Sequence, residues 1–247
     1  MSSTPPEPTA RLATARPLLV AGAVAGPLFL AVVLAQAYTR DGFDPARHPL
    51  SSLALGDLGW LQIANFVFCG ALTLAGAVGL RRALAPGRSS TWGPRLIGFG
   101  GVALIVAGAL PADPINGYPV GTPDAVTWHG ALHSLVPGLA GIAGLVAFVV
   151  FARRFAADRE RRWVAWSIVA PIAIIAANAV SFAAADFRAM LISQLIGAAW
   201  ATSIYLKYAY RRSRTITSAS GAKVQVTGIP RRRRSAPEYS PPGARTR

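Results

Sequence analysis

Acidic side chains are scarce in this 247-residue chain: ten Asp and Glu stand against 25 Lys and Arg, for a formal net charge of +15. In a soluble protein that excess points to nucleic acid. With 53% hydrophobic and only 14% charged residues, however, the chain is too apolar for an ordinary soluble domain, and no nucleic-acid partner is expected. Cysteine is almost absent. Cys69 stands alone, which excludes an internal disulfide, and reads as a small packing residue. The long apolar runs have no Asp, Glu, Lys or Arg near their middles. Ion-coupled transporters usually place ionisable groups there, so this lack counts against an ordinary secondary transporter. The runs also lack period-two alternation, which excludes a membrane β-barrel.

What is present is six apolar segments, near 18–38, 58–80, 96–112, 128–151, 164–185 and 189–210. Each reaches or approaches the roughly 20 residues that cross about 30 Å of hydrocarbon. No water satisfies backbone groups inside a bilayer, so each run must be helical. The expected fold is all-α, a polytopic membrane bundle with six transmembrane helices. Ala35-Gln36-Ala37 resembles a signal-peptidase site. The preceding run is nevertheless longer than the 7–15 residues of a signal-peptide core, and it reads as a retained first helix.

Charge alternates between the connections. All basic residues except Arg40, Arg47 and Arg188 share one face, with both termini. Positive charge is retained in the cytoplasm, which predicts an N-in/C-in multi-pass protein of the plasma membrane. The opposite face collects Asp41, Asp44, Asp57, Asp113, Asp124 and Asp186, together with His48, His129 and His133.

Three regions are expected: a disordered tail over 1–16, a six-span domain over 17–210 and a disordered basic tail over 211–247. The basic tail, with Arg231–Arg234 consecutive, would attract anionic lipid headgroups. In the first outer connection, Leu50, Leu53, Leu55 and Leu58 suit a short interfacial or re-entrant helix, and Trp60 and Trp128 would sit at headgroup depth. Gly138, Gly141 and Gly144 in the fourth span, and Gly98, Gly101 and Gly108 in the third, would let helices approach closely. Glycine-rich span surfaces also permit a homo-oligomer. Gln62 and Asn65 read as interhelical hydrogen-bonding partners.

Trp128-His129-Gly130-Ala131-Leu132-His133 is the sharpest motif, because i, i+4 spacing puts both imidazoles on one helix face. The zincin pattern would put Glu directly after the first His, where Gly130 stands. His48 shares the membrane face. With a water, His48, His129 and His133 would complete a tetrahedral catalytic zinc site, and Ser51, Ser52 and Asp57 are the candidate catalytic side chains beside it. A plainer reading competes at each position. Asp57 is placed to cap the second span, Asp113 and Asp186 to cap or turn loops, and the paired histidines to hydrogen-bond neighbouring loops. Asp186 and Arg188 could form an ion pair across the last hairpin.

The runs PLLVAGAVAGPLF, GFDPARHPLSSLALGDLGWLQIANF and TWHGALH resemble the prokaryotic six-helix membrane family known as domain of unknown function 998, over about residues 17–210. That resemblance implies six spans and no particular activity. A fainter similarity is to membrane hydrolases of the alkaline ceramidase and adiponectin-receptor type, which use three His, a Ser and an Asp around zinc. His48, His129, His133, Ser51 or Ser52, and Asp57 would take those parts. Those hydrolases have seven spans and carry their paired histidines in the last, which this chain does not.

Two functions follow. The preferred one is a non-catalytic integral membrane protein, accessory or small-ligand-binding, with a polar His/Asp cluster outside the cell. The alternative is a zinc-dependent hydrolase acting on a lipid or lipid-linked substrate.

Overall fold

A computed structural model describes residues 8–84, 86–211, 214–217 and 223–226. Six long helices dominate it: α1 (Pro8–Thr39), α2 (Gly59–Ala83), α3 (Arg88–Ala109), α4 (Trp128–Ala157), α5 (Arg161–Ala184) and α6 (Arg188–Ala209). All six are long and apolar enough to cross a membrane. Each packs on the next in sequence, α1 also packs on α6, and α2 touches α6 as well. The helices therefore run up and down in a closed order with α2 toward the centre. In the most apolar stretch of each helix, 44% of α2 is buried against 17% for α4 and for α5.

Two helix starts differ from expectation. α1 begins at Pro8, ahead of the apolar run expected from about residue 18, because Ala, Arg and Leu make up most of TARLATAR behind a proline suited to a first turn. α3 begins at Arg88, well before its apolar run, so the polar RSSTWGPR stretch is helical rather than a connection. In the tail, β1 (Arg214–Thr217) and β2 (Lys223–Val226) pair antiparallel, with Arg214 opposite Val226. The Arg231–Arg234 run, expected to meet anionic lipid, lies outside the described residues.

Aromatic packing closes the bundle at the end where the arginines cluster. Trp200 of α6 lies 4.1 Å from the Phe148 ring and edge-on to Phe151 at 5.5 Å, centroid to centroid. Its indole N–H donates to Ser167 Oγ of α5 at 3.1 Å. Tyr205, Tyr208 and Phe155 complete this buried cluster. Dispersion and hydrogen bonds hold such contacts in lipid, where tails are as apolar as leucine. Close helix approach uses the expected glycines of α3, where a β carbon on Gly101 would sit 2.8 Å from the Gly70 carbonyl oxygen of α2, but not those expected in α4. A β carbon on Gly22 of α1 would sit 2.7 Å from Gly76 Cα of α2 and 2.8 Å from the Tyr205 ring, so that crossing requires glycine. Around Gly138, Gly141 and Gly144 of α4, an added β carbon would meet nothing within 4 Å. Those three leave a surface open instead of marking a contact.

Candidate functional site

The loops joining α1 to α2, α3 to α4 and α5 to α6 gather at the other end, which carries all three histidines. The first loop is organised by Arg40, whose guanidinium donates to the carbonyls of Leu53 (2.7 Å), Leu55 (3.1 Å) and Leu58 (2.8 Å). Those carbonyls surround a 3₁₀ turn over Leu50–Ala54, where a short interfacial or re-entrant helix was expected. Ser51 and Ser52 lie in this turn, and Ser52 is buried. Asp57 does not cap α2. It is exposed, Leu58 occupies the cap position, and no side chain caps that terminus.

His48 is buried between Phe43 and Tyr118, with ring centroids 5.4 and 5.2 Å away. The Asp44 backbone N–H donates to its Nδ1 at 2.9 Å. Nε2 must therefore carry the hydrogen, and it faces the Asn116 carbonyl at 3.3 Å. Asn116 Nδ2 in turn donates to the Arg47 carbonyl at 2.7 Å, and Asp124 accepts from the backbone N–H groups of Asn116 and Gly117. The Phe187 N–H donates to the Ala46 carbonyl at 2.9 Å, tying in the third loop. Both nitrogens of His48 are thus committed to backbone groups.

The start of α4 is built around Asp113. Its carboxylate accepts from Thr127 Oγ1 (2.6 Å) and from the Thr127 N–H (2.9 Å), while Thr127 Oγ1 caps the helix by accepting from the Gly130 N–H at 3.1 Å. A β carbon at position 130 would collide with that carboxylate. Gly130, which breaks the zincin pattern, is what admits Asp113 against the helix start. The Thr127 donors, with His129 and His133 nearby, hold the Asp113 carboxyl below the usual carboxylate range. His129 Nδ1 lies 3.1 Å from the Pro111 carbonyl and His133 Nδ1 lies 2.7 Å from the Leu110 carbonyl. A carbonyl can only accept, so both rings donate from Nδ1. His133 is buried with its ring set edge-on to Phe66, and His129 is half-exposed.

The three imidazoles nominated for zinc do not come together: among the described residues no three His, Cys, Asp or Glu side chains form a group able to hold a metal ion. The physical reason lies in the loops. Each ring is turned toward a backbone carbonyl of a connection: Asn116 for His48, Pro111 for His129 and Leu110 for His133. At the last hairpin, the expected Asp186–Arg188 pair forms at 2.5 Å and lowers the Asp186 carboxyl below its ordinary value.

A second polar array runs down the seam between α1 and α2. Arg40 Nη2 donates to Gln36 Oε1 at 2.6 Å, and Gln36 Nε2 donates to Gln62 Oε1 at 2.8 Å. Asn65 Nδ2 donates to Gln62 Oε1 (3.3 Å) and to the Phe29 carbonyl (3.2 Å), and Cys69 Sγ donates to Asn65 Oδ1. The direction of this ladder is fixed at both ends, because a guanidinium only donates and a carbonyl only accepts. Gln62 therefore presents its oxygen to both neighbours. Its Nε2 is left buried without a partner in a side chain that is 0% exposed. Gln62 and Asn65 were anticipated as interhelical partners. Gln36 and Arg40 were not, although their i, i+4 spacing at the end of the first apolar run was a usable signal.

The family described as "Protein of unknown function (DUF998)" matches residues 23–218. The chain belongs to that family. The matched stretch runs from within α1 through the whole of α6, so it takes in both the histidine-bearing loops and the amide ladder. No curated protein and no solved structure matches the chain.

Proposed function

We propose that this protein is a non-enzymatic membrane protein that binds a small ligand at its histidine-bearing end, in the plasma membrane with both termini in the cytoplasm. The Gln62 amide carries the reading. An unpaired buried donor costs about 1–3 kcal/mol, and a carboxylate or carbonyl oxygen reaching Gln62 Nε2 would recover it. Arg40 covers the ladder with a guanidinium, which favours a carboxylate over a neutral carbonyl. On this reading the histidines brace the surrounding loops. The crowding of arginine at the opposite end supports the orientation.

The test is thermal shift of the full-length protein in detergent against a panel of small carboxylates and carbonyl compounds. A ligand is expected to raise Tm in wild type and to lose that effect in Gln62→Leu. The substitution strands no other donor, because Gln36 Nε2 keeps the Val32 carbonyl and Asn65 Nδ2 keeps the Phe29 carbonyl. A shift that survives Gln62→Leu, or a panel without effect on wild type, overturns the reading. Metal analysis should find equal, substoichiometric zinc in wild type and His129→Ala. Stoichiometric zinc in wild type alone would favour the hydrolase instead.

A further inference from the structure

At the arginine-rich end, the turn from α2 into α3 encloses a cavity of about 510 Å³. Its walls include Thr14 of α1, Arg81 and Arg82 of α2, Gly87 of the turn, and Ser90 and Thr91 in the first turn of α3, with no carboxylate among the described lining residues. The volume falls within the range of small-molecule sites. Three observations give its chemistry. First, Arg81 is held in place by one edge only. Its Nη1 donates to the Ser90 carbonyl (2.8 Å) and to Thr91 Oγ1 (2.7 Å), while Nη2 and Nε have no partner among the described residues. Second, Arg82 is exposed and has no hydrogen bond or carboxylate partner among those residues. Third, α3 starts at this cavity with no side-chain cap and no acid in its first turn, and Arg88 stands there instead. Basic side chains and the positive end of a helix dipole thus meet around one space that no carboxylate lines among the described residues.

The next residue fixes the depth. Trp92 is exposed, and the Arg95 guanidinium lies 5.6 Å from its ring centroid. An exposed tryptophan at a helix start belongs at the headgroup level of a bilayer, which places the cavity mouth where lipid phosphates lie. We infer that this cavity binds a phosphate group, with Arg81 and Arg82 as its charged ligands. Planar guanidinium forks suit tetrahedral oxyanions, and Ser90 and Thr91 hold one fork in register. The site is separate from the Gln62 ladder and does not depend on the ligand proposed there.

Native mass spectrometry of the detergent-purified full-length protein tests it, with phosphatidylglycerol, phosphatidylcholine and inorganic phosphate as probes. Wild type should retain phosphatidylglycerol in preference to phosphatidylcholine. The double variant Arg81→Gln/Arg82→Gln should lose at least tenfold in affinity, and the control Arg153→Gln/Arg162→Gln, of equal charge change, less than threefold. Arg82→Gln alone removes no hydrogen bond or ion pair among the described residues, so it should lose at least threefold at unchanged Tm. If millimolar inorganic phosphate displaces the lipid from wild type, the phosphate comes from solution. If it does not, the source is the lipid headgroup. Equal losses in the double variant and its control, no loss in Arg82→Gln, or no retention of either probe by wild type overturns the inference.

Discussion

The two ends of this bundle use polar residues in opposite ways. At the histidine-bearing end, long connections leave many backbone groups unpaired, and side chains are turned back to meet them. Arg40 serves three carbonyls, His48 bridges Asp44 and Asn116, and Asp113 holds the Thr127 cap. At the arginine-rich end the connections are short, aromatic rings fill the interior, and Arg81 and Arg82 keep guanidinium N–H groups that meet no partner among the described residues. A polar cluster seen in sequence is therefore weak evidence of chemistry where loops are long. Unpaired charge beside a cavity is stronger evidence of a ligand.

The largest expected effect falls on the aromatic end. Trp200→Ala should lower stability by about 3–5 kcal/mol through the space left beside Phe148 and Phe151. Hydrogen exchange should then rise across the whole bundle. His48→Ala should cost about 1–3 kcal/mol, since it strands the Asp44 N–H and leaves the Asn116 carbonyl only its 3.4 Å contact with Arg47. Here exchange should rise only near residues 44–48 and 114–118. Bundle-wide exchange in that variant would erase the contrast between the ends. Gly130→Ala should cost about 1–3 kcal/mol by driving its new methyl into the Asp113 carboxylate, read as a drop in Tm.

Strong acid should weaken the histidine-bearing end. The carboxyls of Asp113 and Asp186 are held below the ordinary value near 3.9, so their contribution is complete above that pH. It fades as pH falls through the lowered folded values. Asp113→Asn should flatten the decline of Tm below about pH 4; an unchanged acid limb would show that the Thr127 bonds do not govern it. Asp57→Ala is the smallest case. As an exposed side chain that caps nothing, it should change stability by less than about 0.5 kcal/mol.

Legibility followed range along the chain. The Asp186–Arg188 pair and the i, i+4 face of His129 and His133 are local and could be anticipated. Asp57 misled, because a carboxylate one residue before Leu58 fits a capping pattern that the Gly56–Gly59 turn does not adopt. The α4 glycines misled for a related reason: spacing shows that a face is small, not whether another helix lies against it. Residues Gln36 and Arg40 looked like the end of a span until Gln62 and the Leu53 carbonyl were found beside them.

Six crossings and the separation of arginine from histidine could be read from the residues alone, because hydrocarbon admits only backbone that satisfies itself and each apolar run must close its own hydrogen bonds. Which polar groups meet was decided by the tertiary structure. Contacts such as Gln36 with Gln62, or His48 with Asn116, join residues 26 and 68 positions apart. They depend on how each helix is rotated and where each loop returns, and no local pattern specifies either.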